Sequence, residues 1–126
     1  MLTLTAALAL VHSVVISPMV AGYNIGITCN PQSRRQSYRG VGYEHFAIID
    51  FGLSSSEALA LEKDLYDKLT SNKLDVSYEK YRQNAKGTAH RPSLGGKSSS
   101  NTLEYCVYVA WWNVGSRGYG WWKNET

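Results

Sequence analysis

The run from Ser54 to Thr70, SSSEALALEKDLYDKLT, is the stretch from which the rest of the chain can be read. It opens with a capping box: Ser54 takes a backbone amide of the first turn, and Glu57, three residues on, reaches back to the amide of Ser54. At about 100° per residue, Ala58, Leu61, Leu65 and Leu69 fall on one stripe, the face a helix buries. Lys63, Asp64, Asp67 and Lys68 point away from that stripe, as a solvated face requires. Glu62 does not, because it projects within the arc of Ala58 and Leu69. A carboxylate turned towards a core is costly unless it is paired, hydrogen-bonded or metal-bound. The reading is therefore a helix to about Thr70 that buries a glutamate. Glu62 is either a chemical group or a marginal position satisfied by an arginine or a tyrosine.

Strand patterns flank this helix. Glu44 to Phe51, EHFAIIDF, reads as a buried strand, and Tyr23 to Cys29 alternates with Ile25 and Ile27 on one face. Leu103 to Trp112, LEYCVYVAWW, is the strongest strand pattern, with Leu103, Tyr105, Val107, Val109 and Trp111 sharing a face. Asn30-Pro31 starts a short helix over Gln32 to Arg39, ended by Gly40 and Gly42. The expected fold is α+β: one small mixed or antiparallel sheet flanked by helices, in a chain of 126 residues that holds a single modest core.

A formal charge of +3 permits a polyanionic partner without requiring one. The apolar run from Leu2 to Ile16 is interrupted by Thr3, Thr5, His12 and Ser13 and makes poor material for a membrane span. It is read in two ways. Residues 1–13 form a secretory signal cleaved after Ser13, or Val14 to Ser17 is a first buried strand stopped by Pro18. Cys29 and Cys106 are compatible with one disulfide in an oxidising compartment and equally with two reduced thiols.

Arg34, Arg35 and Arg39 lie within six residues, with Arg34 and Tyr38 four apart on one helical face. A guanidinium offers a planar fork of donors suited to phosphate oxygens. Alone, the cluster reads as an exposed basic surface.

Asn24 to Tyr38, NIGITCNPQSRRQSY, resembles the second motif and first helix of the GIY-YIG nuclease superfamily, where a strand ending in Tyr-Ile-Gly is followed by an arginine and then a His or Tyr. Gly26, Arg34 and Tyr38 keep that spacing. Ser55 to Leu69 is similar to the later helix, with Glu62 at the family's metal-holding glutamate. The resemblance implies hydrolysis of nucleic-acid phosphodiesters, in DNA or RNA, with one divalent metal, Mg²⁺ or Mn²⁺. It implies that Glu62 holds the metal, that Arg34 stabilises phosphate charge and that a tyrosine serves as or assists the general base, Tyr38 or Tyr23 being the candidates. The Gly-Ile-Tyr motif is missing, since Val14-Val15-Ile16 carries no tyrosine. Asn24 stands where the second motif has one, unless Tyr23 serves through a one-residue shift. For the family's later asparagine, Asn72 and Asn84 are the candidates.

Lys80 to Thr102 contains Lys80, Arg82, Lys86, Arg91 and Lys97 and no acid, so with Arg35 and Arg39 it is a candidate nucleic-acid surface, with Tyr78 and Tyr81 as bases' stacking partners. The rival function is a secreted, non-catalytic binding protein that uses this basic loop or the pairs Trp111-Trp112 and Trp121-Trp122.

Overall fold

The structure, a computed structural model, describes residues 1–83, 104–116 and 118. Helix α1 (Leu4–Val15) leads into β1 (Val20–Thr28), α2 (Pro31–Gly40), β2 (His45–Leu53), α3 (Ser55–Thr70), α4 (Val76–Tyr81) and β3 (Tyr105–Asn113). The three strands form one open antiparallel sheet in the order β1-β3-β2. The α+β expectation holds, and the sheet is wholly antiparallel. The strand that comes last in sequence lies in the middle and pairs on both sides, and its residues from Tyr105 to Ala110 are all buried.

Strand alternation sorts side chains onto two faces. Tyr23, Ile25 and Ile27 of β1, Ala47 and Ile49 of β2, and Tyr105, Val107, Val109 and Trp111 of β3 meet the main core with α1, α3 and α4. That face carries most of the buried apolar area, at about 1.5–3 kcal/mol for each large side chain removed from water. The opposite face carries Tyr108, Ala110, Phe46 and Trp112, covered by Tyr38 of α2, by Val41 at its C-cap and by Tyr43.

Helix α3 is as read. Ser54 and Glu57 make both halves of the capping box, and Ala58, Leu61, Glu62, Leu65 and Leu69 are buried. Hydrogen bonds from Ser54 hold the Glu57 carboxyl below the usual carboxylate range. Helix α2 begins at Pro31 under an Asn30 cap.

The N-terminus departs from the expected strand. Val14 and Val15 end helix α1, which Thr3 caps and which buries Ala7, Val11 and Val15, spaced one turn apart. Packing of this stripe against the core outweighs the β preference of a valine–isoleucine run. The six-residue helix α4, capped by Asp75, has too few residues to show a period in sequence. The Tyr23 hydroxyl donates to the Ser77 carbonyl at 2.8 Å, and Ser77 donates to Leu69, so α4 is tied to both β1 and α3. No helix among the described residues is long and apolar enough to cross a membrane.

Two details shape the second face. A side chain at Gly22 would meet the Trp112 ring at 2.3 Å, so only glycine lets that indole cross β1. Gly26 pairs directly with Tyr108 and adds no side chain beside it.

Candidate active site

The candidate site lies on the second face, where α2 crosses the sheet. Asn30 and Pro31 start α2 immediately after β1, and the four-residue spacing aims Arg34 and Tyr38 at the sheet while Arg35 and Arg39 stay exposed. Arg34 donates from Nη1 to the Tyr108 hydroxyl at 3.0 Å, and its guanidinium lies 5.9 Å from the centroid of the same ring. Tyr108 donates to the Tyr38 hydroxyl at 3.1 Å. Asn24 Nδ2 donates to that same hydroxyl at 2.8 Å. The Tyr38 oxygen thus accepts two hydrogen bonds, which leaves its own proton to be given elsewhere.

Burial pushes the Tyr38 phenol above its ordinary range. The bonds from Tyr108 and Asn24 and the charge of Arg34 work the other way, and the charge of Glu62 raises it further. Tyr108 is also pushed up, first by burial and then by its tyrosine neighbour. Both phenols therefore keep their protons at neutral pH. Arg34 and Tyr38, with Ser37 and Val41, line an open cavity of about 270 Å³, so solvent and ligands reach the end of this chain of bonds.

Asn24 is 3% exposed, and its Oδ1 has no hydrogen-bond partner. Turning the amide over would orphan the nitrogen instead. Such an atom costs roughly 1–3 kcal/mol unless a water or ion meets it.

Glu62 is 1% exposed, deep under α3, on the core side of the sheet. Its charge acts on the Tyr38 phenol and raises it. No group of three or more His, Cys, Asp or Glu suited to a metal occurs among the described residues.

The remaining expected residues divide clearly. Tyr23 points into the main core, bonded to Ser77 and packed edge-on against Tyr81 at 5.4 Å, so it stands on the far face from Arg34. Burial raises its pKa strongly. Lys80 is engaged in the fold: its ammonium caps the end of α1, donating to the carbonyls of Val15 at 2.6 Å and Ser17 at 2.7 Å. Arg82 pairs with Glu79 on the surface at 3.2 Å. Tyr81 is 2% exposed and unable to stack on a base. Asn72 turns its side chain to the amide of Leu74. Lys86, Arg91, Lys97, Asn84 and the Trp121-Trp122 pair lie outside the described residues.

Cys29 and Cys106 form no disulfide, so the disulfide option is not the one found here. Cys29 packs against the main core, while Cys106 pairs with Thr28 on the neighbouring strand. Trp111 and Trp112 point to opposite faces and form no common platform. Trp111 stacks on His45 at 5.3 Å, and Trp112 meets Tyr43 edge-on at 5.0 Å.

The residue that sequence reading missed is Tyr108. The signal was available in alternation: in a strand whose odd positions fill the core, Tyr108 must face the other layer. Compared with protein-family models, with curated proteins and with solved structures, the chain has no match.

Proposed function

We propose that this protein is a metal-dependent endonuclease of GIY-YIG type that hydrolyses nucleic-acid phosphodiesters with Arg34, Tyr38, Tyr108 and Glu62. The observation that carries the reading is the bonded chain from Arg34 through Tyr108 to Tyr38, which ends in an open cavity and feels the charge of Glu62. Arg34 supplies positive charge to a bound phosphate. As water attacks phosphorus and the bond to the leaving oxygen breaks, Tyr38, which holds its proton and accepts from two donors, gives that proton to the leaving oxygen. The proton the water loses passes to solvent, from which Tyr38 is reprotonated. This donation differs from the general-base role expected of a tyrosine, and the hydrogen-bond accounting is the reason. Tyr108 transmits the charge of Arg34 and fixes the Tyr38 oxygen.

A hard divalent cation such as Mg²⁺ commonly takes one carboxylate plus substrate phosphate and water, and Glu62 is the carboxylate this reading assigns to it. Glu62 would hold it, and when bound the ion would neutralise charge on the phosphate and lower the pKa of an attacking water.

One observation favours a second reading: Glu62 is almost wholly closed off from solvent, as a carboxylate kept for structure would be. Cleavage of plasmid DNA and of a structured RNA, each with Mg²⁺, Mn²⁺ or EDTA, separates the two. Metal-dependent cutting that is lost in both Glu62→Gln and Arg34→Ala supports the enzyme. Equal cutting by those variants and the parent rejects the site, and no cutting by any of them favours the non-catalytic protein.

A further inference from the structure

The surface beside the cavity carries information about the form of nucleic acid this protein takes. A groove of about 440 Å³ runs between α2 and the edge strand β2, lined by Pro31, Gln32, Arg35, Phe46 and Ile48. Its floor is apolar: Ile48 is 46% exposed, and Phe46 is half-buried. Phe46 is backed by Tyr108, on which it stacks at 4.7 Å and 24°, so its ring is held in a fixed plane. Its rim is basic. Arg35 borders both this groove and an adjoining cleft that it lines with Gln32, Gln36 and Arg39. Arg35 and Arg39 are exposed, and no acid precedes Glu44 anywhere in the chain.

These features fit one occupant. Arg35 and Arg39 stand one helical turn apart, about 6 Å along the axis, a spacing of the order of that between neighbouring phosphates of one strand. A duplex turns its bases inward and would set charged backbone against Phe46 and Ile48. A single strand can place phosphates on the arginines and an unstacked base on the aromatic floor, the arrangement by which proteins hold single strands without reading their sequence. Resting on the nucleic-acid reading above, we infer that the groove between α2 and β2 docks a single-stranded segment, with a base against Phe46 and its phosphates on Arg35 and Arg39. Its course then leads the backbone past Arg34 and Tyr38, which face the neighbouring cavity on the same helix.

The test is fluorescence anisotropy of the full chain, in EDTA so that nothing is cut. The probes are labelled single-stranded DNA, single-stranded RNA and a blunt duplex of matched length. Either single strand should bind at least roughly tenfold more tightly than the duplex, given the usual strength of base stacking on an aromatic ring. Phe46→Leu, which keeps the apolar volume, should lose that preference and leave duplex affinity unchanged. Arg35→Ala with Arg39→Ala should weaken all probes and flatten the salt dependence. Thermal melting confirms that each variant is folded. Equal affinity for duplex and single strand, a preference that survives Phe46→Leu, or no binding at all would overturn the inference. Single-strand preference without cleavage under any metal would leave this inference standing and remove the enzyme. Cleavage of duplex with no such preference would do the reverse.

Discussion

The Tyr108 hydroxyl lies 3.1 Å from that of Tyr38 and donates to it, across a sequence separation of 70 residues. Tyr108 also accepts from Arg34 at 3.0 Å, so the middle strand couples the two sheet-facing polar side chains of α2. Tyr108→Phe keeps the ring, and with it the stack on Phe46, while cutting both bonds. Cleavage should fall by up to about a hundredfold, the scale on which a misplaced catalytic group costs rate. Stability should change by only about 1–2 kcal/mol. In a double-mutant cycle with Arg34→Ala the two losses should be well short of additive, because the residues act through one chain. Additive losses would break the proposed link.

Asn24 offers a contrast between stability and activity. Asn24→Leu removes the donor to Tyr38 together with the orphaned Oδ1, so the two effects offset, and unfolding should shift by less than about 1 kcal/mol. Cleavage should still drop, because Tyr38 loses one of the two bonds that orient its proton. A variant as active as the parent would show that Asn24 is only packing.

Lys80 separates structure from charge. Lys80→Met removes the donor to the Val15 and Ser17 carbonyls and should cost about 1–2 kcal/mol in denaturant unfolding. The salt dependence of nucleic-acid binding should not change, since that ammonium is already committed. A slope lowered by one charge would return Lys80 to the binding surface.

The tyrosines set an alkaline limit. Burial raises the phenols of Tyr23, Tyr38 and Tyr108 above the ordinary value of 10.0. A group whose pKa is higher when folded contributes stability that is intact below the unfolded value and lost as pH rises through the folded one. Stability should therefore be insensitive to these groups up to about pH 10 and decline above it. Urea unfolding at stepped pH, with tyrosinate absorbance read alongside, checks this. Tyr23→Phe should lessen the alkaline decline at the expense of the bond to Ser77.

The capping box gives a measure free of the site. Ser54→Ala removes the hydroxyl that accepts from the Glu57 amide, leaves the Glu57 carboxylate on the backbone amide of residue 54, and should cost about 0.5–2 kcal/mol. Because Glu62 sits two turns further along the same helix, cleavage per folded molecule should be unchanged.

Much of this was readable locally. Glu62 was marked by the helix wheel because its neighbours set a period, and the Arg34–Tyr38 pair by its four-residue spacing on a capped helix. Pairing across the sheet was not, because nothing near Arg34 in sequence names the strand that will lie beneath it. Val14 to Ser17 misled for a related reason: the helix there is selected by Ala7 and Val11 meeting a core that other segments build. Lys80 looked like free charge because the carbonyls it caps lie more than sixty residues away.

The order of the strands also governs when this protein comes into being. On the ribosome, β1, α2, β2 and α3 emerge first, yet β1 and β2 share no ladder and wait for β3 to lie between them. Long-range pairing of this kind is slow, since the loop must close before any contact is gained. A nascent chain that already carries Arg34, Tyr38 and Glu62 has no sheet to set them on, and Tyr108 arrives on the very strand that completes it. The bonded chain from Arg34 to Tyr38 therefore forms only after synthesis has passed β3.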